Sequence, residues 1–389
     1  MSSDQYRRKR PQKRPERLID TRTGEIKDFS QDLNHPPYAI LSHTWLIGYE
    51  ISFKDYSQPR DMYNTESPYK LGYCKIIKAC QQAREDGHNY IWVDTCCIDQ
   101  TNPAEVARNI KSMYGFYQQA VVCYAYLSDV RDEWPIMKDG KWEGKKEAID
   151  QFKASRWFRR GWTLQELVAP LKVIFLNQRR RRIGDKHEMK ELIGKMTGIP
   201  PSILQGEEDI HNINPMRRMS WCANRTTREG RDLAYCLLGI LGLSMEPEPD
   251  ESIDSAFQRL HGALSKKHPG LKEFASGKDI LQFLRSENAR DRLGISFPPA
   301  SSPLLTHSDG HAKANQNSGS QPGTGRKGGS TGGKALPSAR SPNAGKPGNQ
   351  GRDKRSSHPF HRSTVSTRNV STQVHSIRAM ADRTTSTVC

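Results

Sequence analysis

The sequence predicts an α/β fold whose core is a doubly wound, mostly parallel β-sheet. Short apolar runs of strand length alternate with amphipathic segments of helix length through the first half of the chain, and short connections join them. Units of strand, helix and strand form right-handed crossovers that cover both faces of a parallel sheet. A helical C-terminal portion and a disordered tail are expected to follow the sheet.

Four buried strands are predicted after an N-terminal hairpin at residues 17–29. Each is a short apolar run bounded by polar or turn residues, which is typical of a strand covered on both faces. The runs are YAILSHTW at 38–45, YIWVDTCCI at 90–98, AVVCYAYL at 120–127 and LKVIFLN at 171–177. Ligand sites of parallel sheets lie beyond the carboxyl ends of the strands, which here are residues 42–45, 94–100 and 127–129.

Two helices are predicted between the first three strands. The segment at 69–87 is amphipathic and ends at a glycine. The next helix has its own start signal, with Asn102 as N-cap, Pro103 as its first residue and Glu105 three residues after the cap. The charged segment 129–150, which follows the third strand, is interpreted as an insertion.

SRWFRRGWTLQEL at 155–167 is predicted as a third helix, which ends before Pro170. On a helix, Glu166 shares a face with Trp162 at the four-residue spacing. Glu166 is then a site carboxylate beside aromatic surface, or alternatively a helix-surface charge or an ion-pair partner of Arg159. The tryptophans alone do not decide between these, because large aromatic side chains are mostly buried whatever the function.

Composition divides the chain into four parts. Residues 301–389 are rich in Gly, Ser, Pro and basic residues, so they cannot bury enough apolar surface to fold and are expected to be disordered. Residues 1–16 form a basic arm that is also expected to be disordered. The α/β domain is assigned to 17–180, and 181–300 to a mainly helical continuation. RRRR at 179–182 is interpreted as a solvated loop, with a polyphosphate or nucleic-acid contact as the alternative.

The formal net charge of +17 resides mainly at the ends of the chain. The tail contributes +10 and the first 22 residues +5, which leaves +2 for residues 23–300. A fold this close to neutral is not expected to bind nucleic acid. RRKRPQKRP at 7–15 is typical of a solvated basic terminus or of a nuclear-localisation signal.

The eight cysteines and the lack of an apolar signal region predict an intracellular, cytoplasmic protein. Most of the cysteines lie in apolar runs, where a reduced thiol packs as a small hydrophobic group. No CxxC pair or paired Cys/His spacing is present, so no metal site is expected. A thiol-protease pair of His43 with Cys96 or Cys97 is disfavoured, since no motif supports it. The longest apolar run, at 233–243, is too short to cross a membrane.

Several segments, taken in order, resemble the motifs of the fungal heterokaryon-incompatibility (HET) domain. They are YAILSHTW, YIWVDTCCIDQ with NPAEVARNIKSMYGFYQQA, SRWFRRGWTLQEL, and RRMSWCANRTTREGRDLAYCLLGIL, within about residues 17–260. The sequence departs from the family's pattern at 46–50, inserted after SHTW, and at SMEPEPDESIDSAFQRLH, residues 244–261. The resemblance implies a flavodoxin-like fold similar to the TIR domain and a role in fungal non-self recognition and programmed cell death.

The resemblance also implies TIR-like cleavage of NAD, which would be a substrate and not a cofactor. GWTLQEL is similar to the WCxxEL context of the catalytic glutamate of TIR domains, and this carries the catalytic role onto Glu166 alone. A carboxylate there would stabilise the positive charge that develops as the C1′–N bond breaks. The residues expected to shape the substrate pocket are Ser42, His43, Trp45, Asp94 and Trp162.

Simpler roles are open for two of these residues and for the domain. His43 is expected to be a hydrogen-bonded scaffold residue rather than a base, and Asp94 can instead structure its own loop. The alternative to an enzyme is a non-catalytic TIR-like module that signals by self-association or by binding protein partners.

Overall fold

The structure is a computed structural model that describes residues 13–32, 34–46, 48–57, 70–131, 136–138, 141–143, 146–271 and 273–286. All of these residues belong to one compact unit. The predicted tail at 301–389 and residues 1–12 of the predicted arm lie outside the described residues. No helix within the described ranges has both the length and the apolar character needed to cross a bilayer.

The described strands form a seven-stranded mixed sheet and a separate hairpin. In chain order they are β1 (Arg17–Asp20), β2 (Ile26–Asp28), β3 (Ala39–His43), β4 (Tyr90–Trp92), β5 (Val122–Tyr126), β6 (Ile136–Lys138), β7 (Lys141–Glu143), β8 (Val173–Leu176) and β9 (Arg182–Asp185). The sheet runs β2-β1-β4-β3-β5-β8-β9, and β6 pairs with β7 in the hairpin. The central strands β4, β3, β5 and β8 are parallel, whereas β1, β2 and β9 pair antiparallel at the edges.

The burial of the central strands explains their apolar sequences. Every residue of β3 is buried, and the strand pairs with β4 on one side and with β5 on the other. Its register places His43 beside Tyr126 at the carboxyl end. The α/β fold with a mostly parallel sheet is therefore confirmed, and the strand ends meet at one edge of the sheet.

Helices surround the sheet and form most of the second half of the described chain. They are α1 (Phe53–Ser57), α2 (Lys70–Glu85), α3 (Asp94–Cys97), α4 (Pro103–Gln119), α5 (Lys146–Ala154), α6 (Thr163–Val168), α7 (Lys190–Thr197), α8 (Pro201–Gln205), α9 (Pro215–Ser220), α10 (Asp232–Tyr235), α11 (Leu238–Leu241), α12 (Ile253–Lys267) and α13 (Gly277–Arg285), with 3₁₀ helices at Arg156–Arg159 and Ile210–Asn212. Residues 13–185 are called the sheet half below, and residues 190–286 the helical half. Helix α4 of the sheet half packs against α11, and α12 packs against α10 and α13.

The start of α4 is the one that the sequence predicts. Pro103 is its first residue, and the Asn102 side chain accepts a hydrogen bond of 3.2 Å from the Glu105 backbone N–H. The Glu105 carboxylate accepts from the Asp99 N–H at 2.8 Å and forms an ion pair with Arg17 of β1. The helix start therefore also anchors the N-terminal hairpin.

The strand predicted at 90–98 is shorter than expected. Strand β4 ends at Trp92, and Asp94–Cys97 form one helical turn, α3. A short apolar run does not by itself distinguish a strand from a buried helical turn. The turn buries both of its cysteines in the core and places its aspartate next to the end of β3.

The prediction of a single helix at 155–167 is wrong. Arg156–Arg159 form a 3₁₀ helix, Arg160 is extended, and α6 begins only at Thr163. Glu166 therefore shares no helix face with the arginine two turns earlier.

Thr226 of the helical half holds this interruption. Its N–H donates to the Arg159 carbonyl at 2.7 Å, and its carbonyl accepts from the Gly161 N–H at 2.9 Å. A Cβ atom on Gly161 would lie 2.6 Å from Thr227 and 3.1 Å from Cys236, so a glycine permits this close approach. Long-range contacts override the local helix propensity here.

The arginine run at 179–182 is not simply a solvated loop, contrary to the prediction. Arg182 lies in β9, an edge strand that pairs antiparallel with β8. Arg180 places its guanidinium 4.5 Å from the centre of the Tyr126 ring and donates to the Lys75 carbonyl at 2.9 Å. A four-residue edge strand rich in charged residues has too little apolar pattern to be recognised in the sequence.

The segments predicted as an arm and as an insertion both contain structure. Residues 13–16 of the arm pack against the fold: Lys13 donates to the Lys111 carbonyl at 3.0 Å, and Arg14 donates to the His35 carbonyl at 2.8 Å. In the insertion, the described residues form the β6–β7 hairpin and the beginning of α5.

Candidate active site

A cleft of about 830 Å³ opens at the carboxyl ends of β3 and β4. The sheet half lines it from the loop after β3 and from α3, α4 and α6. The helical half lines it from the turn before α10, from α10 itself and from the loop at 247–249. This position is the one where ligands of parallel α/β sheets bind.

The structure brings all six predicted site residues together. Those that line the cleft are His43, Trp45, Asp94, Trp162 and Glu166. Ser42 has no exposed surface and lies directly behind them, and its hydroxyl donates a hydrogen bond to the Glu166 carboxyl. Because these two residues are 124 positions apart, only the parallel sheet and the α6 turn bring them into contact.

Glu166 is buried at the inner wall of the cleft, with 7% of its surface exposed. All residues of α6 are buried, so this short helix has no solvent face. Trp157 Nε1 donates to Ser42 Oγ at 2.7 Å, and Ser42 in turn donates to Glu166 Oε2. Trp157 packs edge-on against Phe158 and Phe175 and is wholly buried. It is therefore both a core anchor and a donor to the site.

Burial raises the pKa of Glu166 from its usual 4.5 to about 8. The hydrogen bond from Ser42 opposes the rise, the negative charge of Asp94 adds to it, and Tyr117 and Arg225 oppose it. Among the described residues, no basic side chain forms an ion pair with this carboxyl, so the alternative in which Glu166 pairs with Arg159 is not present there. Glu166 is consequently mostly protonated at neutral pH.

Asp94 lies in the same cleft with its two oxygens bound separately. His43 Nε2 donates to Oδ1 at 3.0 Å, and Trp45 Nε1 donates to Oδ2 at 2.7 Å. Lys75 Nζ donates to the other ring nitrogen of His43, Nδ1, at 2.9 Å and to both Glu50 oxygens at 2.5 Å. Because Nδ1 accepts from an ammonium group, the imidazole proton lies on Nε2 and points to Asp94.

These partners keep Asp94 ionised. Burial would raise the pKa of Asp94, but His43, Trp45 and Lys75 together hold it below its usual value. Burial lowers the pKa of Lys75, and the Glu50 carboxylate opposes that shift. The Asp94 side chain is 23% exposed, so a charged carboxylate faces the cleft.

Two indole side chains also line the cleft. Trp45 is 39% exposed, whereas Trp162 is half-buried and donates from Nε1 to Asp232 Oδ2 at 3.0 Å. Burial raises the pKa of Asp232. Each indole N–H is thus held by a carboxyl group, and the rings provide apolar surface for a flat ligand.

Three guanidinium groups line the cleft, those of Arg160, Arg228 and Arg231. Burial lowers the pKa of Arg160, and the carboxyl groups of Glu166 and Asp232 oppose that shift. Within the described part of the chain, the side-chain ion pairs of Arg228 and Arg231 are long contacts of 3.9 Å with Glu229. Guanidinium groups held this loosely are suited to bind a phosphate.

Arg225 joins the two halves behind the cleft. It is 5% exposed and donates to the Arg160 carbonyl at 2.9 Å, to Thr163 Oγ1 at 3.0 Å and to the Trp221 carbonyl at 3.2 Å. Burial lowers its pKa to about 10, which still leaves it charged at neutral pH. It fixes the turn from which α6 begins.

Four supporting residues carry no recognisable sequence signal: Glu50, Lys75, Arg160 and Arg225. Glu50 lies in the segment that follows SHTW, and Lys75 lies on the predicted amphipathic helix at 69–87. Their contact joins residues 25 positions apart, which no local pattern reveals. A charged residue beside the apolar face of a helix is the only hint, and it is a weak one.

The geometry gives no support to a thiol-protease pair. Cys96 and Cys97 are buried in the core, and both ring nitrogens of His43 are taken by Lys75 and Asp94. Burial raises the pKa of Cys96, which keeps its thiol unreactive. In the part of the chain that the structure describes, no group of three or more His, Cys, Asp or Glu side chains is placed to bind a metal ion.

Comparison with known proteins finds a matching family model and a similar fungal protein. The family model described as "Heterokaryon incompatibility protein (HET)" matches residues 38–141. "Vegetative incompatibility protein HET-E-1" of Podospora anserina is 39% identical over 248 residues, which make up 62% of this chain and 17% of that protein. The chain thus spans well under two thirds of the relative's length. No solved structure matches the chain.

Proposed function

We propose that the chain, which matches the heterokaryon-incompatibility (HET) family model over residues 38–141, is an effector of fungal non-self recognition and programmed cell death that hydrolyses NAD. The observation that carries the enzymatic part is the convergence of Asp94 and Glu166 in one cleft, beside indole rings and guanidinium groups. An intracellular location is part of this proposal. Of the seven cysteines that the structure describes, Cys74 is disulfide-bonded and six are buried free thiols: Cys80, Cys96, Cys97, Cys123, Cys222 and Cys236.

The order of the parallel strands supports a TIR-like fold. Numbered along the chain, the four strands lie in the order 2-1-3-4, as in flavodoxin-like sheets. The cleft opens beyond their carboxyl ends, which is where such sheets bind nucleotides.

NAD is chemically complementary to the cleft. Its nicotinamide is a flat cationic ring, which a carboxylate and aromatic surfaces attract. Its two phosphates suit the arginines of the same cleft. A volume of about 830 Å³ lies in the usual range for small-molecule sites.

Nicotinamide release from NAD by the purified full chain tests this proposal. We expect release by the wild type and a loss of at least about 100-fold in Glu166→Ala, which removes the carboxyl and its link to Ser42. Glu188→Gln is the matched control, because Glu188 pairs with Arg182 of β9 and does not line the cleft. Absence of release by the wild type, even after forced oligomerisation, would contradict the enzymatic proposal.

A non-catalytic module that signals by self-association is the second candidate. Exposed apolar side chains favour it, since Trp45, Tyr49 and Leu71 are 39%, 45% and 58% exposed. The Tyr49 carbonyl packs against Gly72, the neighbour of Leu71. The backbone at Tyr49 therefore lies close to the backbone at Leu71. Toxicity on overexpression that survives Glu166→Ala, with folding and abundance unchanged, would support this module.

A further inference from the structure

The two carboxyl groups of the cleft have partners of different kinds. Asp94 is bound by nitrogen donors on both oxygens, whereas the bonded oxygen of Glu166 accepts from a serine hydroxyl. A nitrogen that carries a proton and already has its other valences filled can only donate, while a hydroxyl can also accept. The partners therefore indicate which carboxyl group is charged.

Both oxygens of Asp94 accept hydrogen bonds, which disfavours a proton on either of them. The Trp45 indole N–H can only donate, and His43 must donate from Nε2 because its Nδ1 accepts from Lys75. A proton on either Asp94 oxygen would weaken one of these two bonds. The ammonium group of Lys75, which contacts the far side of the His43 ring, also favours the ionised form of Asp94.

Glu166 is buried, forms no ion pair among the described residues, and contacts hydroxyl groups that can serve either form of the acid. Ser42 accepts from Trp157 and so turns its own proton to Glu166 Oε2, which leaves Oε1 to carry a proton. The Tyr117 hydroxyl donates to the Leu41 carbonyl at 3.2 Å, and in this orientation its oxygen can accept a hydrogen bond from protonated Glu166. A Tyr117 proton turned to Glu166 would instead favour the carboxylate. Burial favours the uncharged form further.

We propose that Asp94 is the catalytic carboxylate that faces the ribosyl cation, and that Glu166 is a neutral acid that positions the ribose by hydrogen bonding. This inference rests on the proposed NAD hydrolysis. It assigns the two carboxyl groups the opposite of the roles that the family resemblance implies.

The reaction balances with water as the only co-reactant. The C1′–N bond breaks, its electron pair moves to the pyridinium nitrogen, and nicotinamide leaves as a neutral ring. The Asp94 carboxylate stabilises the ribosyl cation electrostatically. Water then forms the new C1′–O bond and loses a proton to Asp94, which passes it to solvent. The products are ADP-ribose, nicotinamide and one proton.

The charged and titratable groups around each carboxyl affect its pKa and therefore the pH dependence of the reaction. Glu166 is faced by Asp94 from α3, by Tyr117 from α4, by Cys123 from β5 and by Arg160 and Arg225.

Asp94 is faced by His43, Lys75 and Glu166, and its charge also acts on Tyr117 and Cys96. Glu50 holds Lys75 against His43 and is a positioning residue for this side of the cleft.

Amide substitutions test the assignment, because an amide mimics a neutral acid but not a carboxylate. In the full chain we expect Asp94→Asn to lower kcat for NAD by at least about 100-fold, and Glu166→Gln to retain kcat within about tenfold near pH 7. Glu188→Gln serves again as the control. Infrared difference spectra near pH 7 should show that Glu166→Gln removes a protonated carboxylic acid band, whereas Asp94→Asn removes carboxylate bands.

Trp45→Phe provides a second variant should Asp94→Asn fail to fold, since Trp45 is 39% exposed and donates directly to Asp94. Loss of this N–H should move the acidic limb of the kcat/KM profile to higher pH. If the wild type hydrolyses NAD but Glu166→Gln is inactive and Asp94→Asn is active, the assignment of the two carboxyl groups is wrong. The proposed function would still stand in that case. A wild type that releases no nicotinamide would overturn the proposed function and the catalytic roles with it.

Discussion

The sheet half and the helical half build the cleft in different ways. The sheet half presents Asp94 and Glu166 from two short helices, α3 and α6, and buried partners such as Ser42 and Lys75 hold them in place. The helical half presents its arginines from turns, with contacts of 3.9 Å to a neighbouring carboxylate. The sheet half thus fixes the charge state of the site, while the helical half provides attraction that can adjust to a ligand.

The largest expected effect comes from removing the buried acid of the sheet half. The pKa of Glu166 is about 8 in the fold against an ordinary 4.5, so the folded chain holds a proton that the unfolded chain releases between these values. Stability therefore falls as the pH rises from about 4.5 to about 8. Glu166→Gln should be more stable than the wild type by on the order of 4 kcal/mol near pH ~9, and this pH-dependent gain should vanish near pH ~4. Urea unfolding at both pH values measures it, and a pH-independent difference would contradict the buried acid.

The next effect concerns the joint between the halves. Arg225→Met removes three hydrogen bonds and leaves the carbonyls of Arg160 and Trp221 and the Thr163 hydroxyl without this donor. We expect a loss of about 3 kcal/mol in the free energy of unfolding. Arg182→Met, at a half-exposed position, is the control and should cost about 0.5 kcal/mol or less. Equal losses of unfolding free energy in the two variants would show that the Arg225 hydrogen bonds do not stabilise the contact between the two halves.

A smaller effect tests the close approach at the start of α6. A Cβ on Gly161 would lie 2.6 Å from Thr227, so Gly161→Ala should destabilise the fold by about 2 kcal/mol. Gly262 of α12 has nothing within 4 Å of such an atom, and Gly262→Ala should instead stabilise by up to about 1 kcal/mol. Thermal unfolding of the pair measures both signs, and stabilisation by Gly161→Ala would argue against this contact.

The smallest effect addresses the helical side alone. If Arg231 contacts a phosphate of NAD, Arg231→Ala should raise KM about tenfold and leave kcat nearly unchanged, since one charge-assisted hydrogen bond is lost. Arg217→Ala, at an exposed position outside the cleft, is the control. Steady-state kinetics with NAD decide the matter, and an unchanged KM would remove the arginine from the binding site.

The parts of the fold that follow from local patterns are predictable from the sequence. Strands β3, β5 and β8 are apolar runs long enough to be recognised, and Asn102 with Pro103 determines where α4 begins. The break after Arg159 is not predictable in this way, because Thr226 causes it from 67 positions further along the chain. Strand β9 is hidden for another reason, since its pairing with β8 and not its composition makes it a strand.

The candidate site divides along the same line. Residues at strand ends, such as Ser42 and Asp94, can be proposed from the sequence because the topology of a parallel sheet brings strand ends together. The roles of Lys75 and Glu50 depend on buried contacts between side chains. The charge state of Glu166 depends on burial, on hydrogen bonds with Ser42 and Tyr117 and on the charges of Asp94 and Arg225, which a sequence does not reveal.

The two backbone hydrogen bonds of Thr226 limit which segments of the gene can be exchanged by recombination without disrupting the fold. Recombination that moved only residues 38–141 into another gene would transfer the helical turn that carries Asp94 without Glu166, and without the segment that holds the start of α6. The smallest stretch that can be exchanged with its cleft intact has to extend to Pro249, the last residue that lines the cleft. Crossovers within that stretch are expected to produce alleles that fold poorly rather than alleles with altered specificity.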